Sequence, residues 1–285
     1  MQGIEERLTE TGIRVVRVHY TADEAKRSEE WKATAKSGYT NDRDWEREME
    51  INWSIASGLP IFADEFVREW HVAKQILRPI PGKVIVRGWD FGNTPACVWA
   101  QLDPNGRILV LNELATWDGR TDERRCFIET FAPAVIRMTN QEYPGFECID
   151  FADPAGWSAS QTDGKSCVQL MQKEGIQPRK GTITWTERRS AIIYALTTAS
   201  GGSPCLVISP NCHMLIEGFQ GAYRFQQIGE TERFRNDPEK NAWSHPMDAL
   251  EYVVGALFTP KKHQRNRDED DYRRKVRKKD KVTGY

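Results

Sequence analysis

Val84-Ile85-Val86-Arg87-Gly88-Trp89-Asp90-Phe91-Gly92 is a short, mostly apolar run that ends on a carboxylate and then breaks. Two further runs follow closely, Ala96 to Leu102 and Arg107 to Glu113. Asp103-Pro104-Asn105-Gly106 separates them and carries turn residues at every position. Strands joined this tightly predict an antiparallel meander. Helical sequence from about Asp122 to Met138, kinked or restarted at Pro133, precedes another apolar run from Phe146 to Ala152. That run must cross over to rejoin the sheet. Helical patterns at Val168 to Lys173 and Glu187 to Leu196, a strand at Leu206 to Ile208, and helices at Met214 to Tyr223 and Met247 to Leu257 complete the order. A meander followed by alternating helix and strand predicts an α/β fold, an RNase H-like mixed sheet flanked by helices.

The 285 residues divide into three textures. Residues 1–81 read as an N-terminal arm or linker remnant. They hold one strand-like run, Ile13 to Val18, and a predicted helix capped by Asn41 or Asp42 that carries Trp45, Met49 and Trp53 at i, i+4 and i+8. Residues 82–258 carry the sheet pattern. Residues 259–285 form a charged tail. Between Lys261 and Lys281 eleven Lys or Arg face five Asp or Glu, a local +6 that leaves −7 on the remainder of a chain whose total is −1. The tail reads as a handle for DNA phosphates or as a solvated end, since Asp268 to Asp271 interrupt its basic run. None of the six cysteines forms a CxxC pair, which argues against a zinc ribbon or a disulfide framework. No signal peptide or membrane span is visible, so a reduced intracellular protein is expected.

Three carboxylates end or open elements where a nuclease using two metal ions needs them. Asp90 closes the first core strand, Asp153 follows the fourth in Asp150-Phe151-Ala152-Asp153-Pro154-Ala155-Gly156, and Asp248 opens an apolar helix in His245-Pro246-Met247-Asp248-Ala249-Leu250. With the first and fourth strands parallel and adjacent, their carboxyl ends coincide, and Asp248 faces them from the helix. Such a cluster holds two Mg²⁺ or Mn²⁺ ions. Each position also has a plainer reading. A strand-end Asp serves as a turn residue or cap, and Asp248 as a favourable charge in a first helical turn. Asp150 competes with Asp153 for the middle ligand, but strand alternation puts the two on opposite faces, and Pro154 stops the strand just beyond Asp153. His245 either assists a metal or water or is a structural histidine. Glu113 is expected to face solvent. Gly164-Lys165-Ser166 resembles the end of a phosphate-binding loop, yet Ala159 stands where the required glycine belongs.

Gly88-Trp89-Asp90-Phe91-Gly92, Ala152-Asp153-Pro154-Ala155 and His245 with Asp248-Ala249-Leu250 resemble, in order, the nuclease motifs of tailed-bacteriophage terminase large subunits. The resemblance spans about 82–258, and Gly58-Leu59-Pro60-Ile61-Phe62 is similar to the segment joining motor to nuclease. It implies Asp153 as the middle ligand, a role for His245 beside the metals, and an endonuclease that cuts concatemeric double-stranded DNA. It also implies a portal, a small terminase subunit and a separate ATPase part as partners, in the host cytoplasm. The ATPase motifs of that family are absent from this sequence.

Overall fold

The computed structural model describes residues 3–8, 12–39, 45, 48–51, 59–117, 126–159, 164–228 and 233–258. The basic tail, the cap at Asn41 or Asp42 and Trp53 lie outside the described residues.

The arm begins with a hairpin of β1 (Ile4–Leu8) and β2 (Arg14–Val18), followed by α1 (Glu29–Lys36), whose N-terminus Ser28 caps through Trp31 N–H. Tyr20, Trp31 and Trp45 pack together with ring centroids 5.3–5.7 Å apart. Residues 59–81, grouped with the arm in the sequence reading, instead lie on the main body. Ile61, Phe62 and Phe66 join its core, and α2 (Arg68–His71) is tied down by a bond of 3.0 Å between His71 Nε2 and the Leu196 carbonyl.

The body is built on one six-stranded mixed sheet. β3 (Ile85–Asp90), β4 (Ala96–Leu102) and β5 (Ile108–Ala115) form the expected antiparallel meander. The β4–β5 turn closes as its residues dictate. Asp103 accepts from the N–H of Asn105 and Arg107, and Gly106 takes a φ of 78° that suits glycine. β6 (Cys148–Ala152) lies parallel to β3 on its other side, and the short β7 (Arg179–Lys180) extends that edge. A small hairpin of β8 (Ala199–Ser200) and β9 (Ser203–Pro204) leads to β10 (Leu206–Ile208), parallel to β5 at the opposite edge. The sheet order is β10-β5-β4-β3-β6-β7. A final hairpin, β11 (Phe225–Gln227) with β12 (Phe234–Pro238), stands apart from the sheet.

Alternation along the central strands supplies two cores. Val86, Val98, Ala100, Ile108 and Val110 face one side, and Ile85, Trp89, Cys97, Trp99, Leu109 and Leu111 face the other. The second side is covered by α3 (Ile128–Glu142), which continues through Pro133 rather than restarting there, and by α4 (Cys167–Lys173). Ser166 of the Gly-Lys-Ser decoy caps α4 in a reciprocal box with Gln169. The first side is covered by α5 (Trp185–Thr197), α6 (His213–Glu217) and α7 (Ser244–Leu257). Glu113 does not face solvent. It accepts from the N–H groups of Met214 and Leu215 at 2.6 and 2.9 Å and so caps α6, and burial pushes its carboxyl up to about 7 against those two bonds.

Candidate active site

β3 and β6 run parallel with Trp89 opposite Ala152, so the residues that follow each strand emerge side by side. The N–H of Asp153 donates to the Trp89 carbonyl at 3.0 Å, which fixes Asp153 next to Asp90 at the carboxyl edge of the sheet. Pro154 then begins a short 3₁₀ turn, and Asp153 Oδ1 accepts the Ala155 N–H at 2.9 Å as its cap. That turn lies on Phe91. A Cβ on Gly156 would overlap the Phe91 ring, so the Asp90-Phe91 and Asp153–Gly156 segments pack only because position 156 has no side chain.

α7 approaches the same edge from the first face. A Cβ on Gly88 would overlap the Ala249 carbonyl oxygen and the Val253 side chain. Glycine in the middle of β3 therefore lets the helix backbone reach the strand, and this brings His245 and Asp248 over Asp90. Asp248 sits in the second turn of α7, not the first, so a role as a charge at the helix N-terminus is removed.

His245 Nδ1 lies 2.8 Å from Asp90 Oδ2, and its Nε2 lies 2.8 Å from Thr94 Oγ1. An ionised carboxylate only accepts, so Nδ1 carries the hydrogen, and the Thr94 hydroxyl, able to donate or accept, meets Nε2. Burial pushes the Asp90 carboxyl up to about 6. The His245 bond opposes that shift and the charge of Asp248 adds to it. Tyr252, one turn beyond Asp248, lies within electrostatic reach of all three carboxylates. Burial raises its hydroxyl, Arg188 draws it back, and the charges of Asp153, Asp248 and Asp90 raise it again.

Asp248 is 2% exposed and is held between two cations. Arg188 Nη2 stands 3.3 Å from Oδ1, and Lys240 Nζ stands 2.6 Å from Oδ2. Arg188 also meets Glu251 at 2.9 Å, and Glu251 accepts from the Tyr223 hydroxyl at 3.1 Å. As the side chains stand, no three His, Cys, Asp or Glu among the described residues form a group that could hold a metal ion. Asp248 faces two cations, one oxygen of Asp90 faces His245, and one oxygen of Asp153 turns back to its own chain. Asp90, Asp153 and Asp248 nevertheless share one edge, and the first and last interact directly through their charges.

Asp150 is placed elsewhere. It faces α3, where Arg87 grips both its oxygens at 2.7 and 2.9 Å and Trp89 Nε1 donates to it at 2.7 Å. Nothing in the sequence singled out Thr94, Arg188, Lys240 or Glu251. Glu251 follows Asp248 by three residues on a helix, the spacing that would have marked a shared face.

Known structures share this architecture. The large terminase from the thermophilic bacteriophage D6E superimposes with a TM-score of 0.55 at 18% identity, covering 84% of this chain and 55% of that one. The fold is shared with part of that large terminase. The chain thus spans about half the length of the terminase it matches. Looser likenesses are to the large terminase nuclease of thermophilic phage G20c with bound cobalt, at TM-score 0.42 and 13% identity over 70% of this chain and 97% of that one. The yeast mitochondrial Holliday junction resolvase Ydc2 stands at 0.29 and 10% over 63% and 80%. No protein-family model matches the sequence, and no curated protein matches it. Among the described residues no helix is long and apolar enough to cross a membrane.

Proposed function

We propose that this chain is the metal-dependent endonuclease part of a phage DNA-packaging terminase and cuts concatemeric double-stranded DNA. The observation that carries the reading is the convergence of Asp90, Asp153 and Asp248 from β3, β6 and α7 on one sheet edge, in a fold shared with a large terminase. The site suits divalent cations. Buried Asp90 feels the charge of Asp248, and Asp248 draws Arg188 and Lys240 to it, so the edge is one that attracts positive charge.

Asp90, Asp153 and Asp248 would hold two Mg²⁺ or Mn²⁺ ions, and these would supply activation of a water and stabilisation of the leaving 3′ oxygen. The chain's own groups set the edge up. His245 holds one oxygen of Asp90, and Thr94 holds the far nitrogen of the imidazole. Arg188 keeps one Asp248 oxygen in place, and the Tyr252 hydroxyl accepts from Arg188 beside it. Double-stranded DNA is the substrate of this reading, with portal, small subunit and a separate ATPase part as its partners.

Plasmid nicking tests it. With Mg²⁺ or Mn²⁺ the supercoiled form is expected to become nicked or linear, while EDTA or Asp90→Asn abolishes the conversion. Absence of cleavage under every metal condition would leave a docking module in place of a nuclease.

A further inference from the structure

The two cations on Asp248 are not equivalent. Arg188 is 10% exposed and held by many partners. It bonds Glu251 at 2.9 Å, the Tyr252 hydroxyl at 3.3 Å, and the carbonyls of Thr182 and Ile183 at 3.3 Å each. Its guanidinium cannot leave without stranding Glu251, a fully buried carboxylate. Lys240 is the reverse. Its side chain is 67% exposed, it reaches Asp248 from the loop between β12 and α7, and its described hydrogen bond is the one of 2.6 Å to Oδ2. One of the two cations is therefore held by several partners, and the other by Asp248 among its described hydrogen bonds.

The position of Lys240 also matters. Its ammonium touches Asp248 and lies within the field of Asp90, the same pair of carboxylates on which the proposed ions would sit. An ammonium and a divalent ion compete for the same oxygen lone pairs. The lysine stem is exposed while its ammonium is desolvated against the buried Asp248 carboxylate, so the charge regains water when it gives way.

We propose that Lys240 is an exchangeable counter-ion of the carboxylate edge, seated on Asp248 in the metal-free protein and displaced when a divalent cation binds there. The proposal rests on the metal-site reading above. It makes the resting protein stable without metal, since Asp248 is never left buried with Arg188 alone. It also makes metal binding weaker than the carboxylates by themselves would allow, so that the edge fills only when the cation is plentiful or when a second ligand helps to hold it.

The test is calorimetric titration of the full chain with Mn²⁺, run for the unmodified protein, Lys240→Met, Lys240→Arg and Asp248→Asn, together with melting curves with and without saturating Mn²⁺. Lys240→Met is expected to bind Mn²⁺ about two- to fivefold more tightly, the range that loss of one ion pair at the surface allows. Lys240→Arg stays near the unmodified value, and Asp248→Asn loses binding. Lys240→Met should also melt lower than the unmodified protein without metal, and this gap should close at saturating Mn²⁺. A lysine with a merely structural role would leave the gap unchanged. Equal or weaker Mn²⁺ binding in Lys240→Met, with the unmodified protein still binding, overturns the counter-ion role and leaves the metal site standing. Absence of binding in both proteins overturns the metal site and the counter-ion role together.

Discussion

Two aspartates three residues apart, one on β6 and one just past its end, have opposite lives here. Asp150 faces the α3 side, clamped by Arg87 and Trp89 with both members of the ion pair under 8% exposed. Asp153 lies just past the strand end, on the edge shared with Asp90. Replacing each with asparagine separates structure from chemistry. Asp153→Asn is expected to abolish metal-dependent cleavage with little change in melting temperature. Asp150→Asn leaves the Arg87 guanidinium buried without its counter-charge, at a cost of about 3 kcal/mol, yet the folded fraction should still cleave. Cleavage assays paired with denaturant titrations read both outcomes. Loss of cleavage in a folded Asp150→Asn protein would move the middle ligand to that residue.

At the level of elements, β3 and α7 set the site by how closely they approach. The contact requires glycine at position 88, because any side chain there meets the backbone of α7 at Ala249. Gly88→Ala is therefore expected to push α7 outward, costing about 3 kcal/mol or more in stability and weakening Mn²⁺ binding, because Asp248 moves with the helix. A variant that melts and binds metal like the unmodified protein would show that the helix can slide without disturbing the edge. The same pair of elements shows what was legible in the sequence. The run ending at Asp90, the turn at Asp103–Gly106 and the strand ending before Pro154 each carried a local signal, and the meander and the parallel β3–β6 pair follow from them. Arg188 and Lys240 carried none. Arg188 stands sixty residues from Asp248 in sequence, and Lys240 approaches from a loop whose hairpin, β11 with β12, has too few apolar residues to announce itself. Glu113 was misread for a related reason. A strand-end carboxylate looks solvent-facing until a helix N-terminus a hundred residues later is seen to arrive on top of it.

Across the whole molecule, packing divides the chain differently from composition. Residues 59–81 contribute Phe62 and Phe66 to the main core, whereas the described part of residues 3–51 is organised around Glu50. That carboxylate meets Lys32 at 2.9 Å, Trp45 Nε1 at 3.1 Å and His19 Nε2 at 3.1 Å. Burial works against its charge, but the bonds from Lys32, Trp45 and His19 outweigh it and draw its carboxyl down to about 2, from an ordinary value near 4.5. The direction of the pH dependence follows. A depressed carboxyl stabilises the arm fully above pH 4.5 and loses that contribution as pH falls toward 2. Tryptophan fluorescence should follow the loss, since Trp31 and Trp45 lie in the same aromatic cluster. Glu50→Gln is expected to loosen the arm at neutral pH and to flatten its acid response, leaving the melting of the six-stranded body and its Mn²⁺ affinity unchanged. A fall in the melting temperature of the body in Glu50→Gln would mean that the arm and the sheet form one cooperative unit. The carboxylate edge would then depend on residues far from β3, β6 and α7.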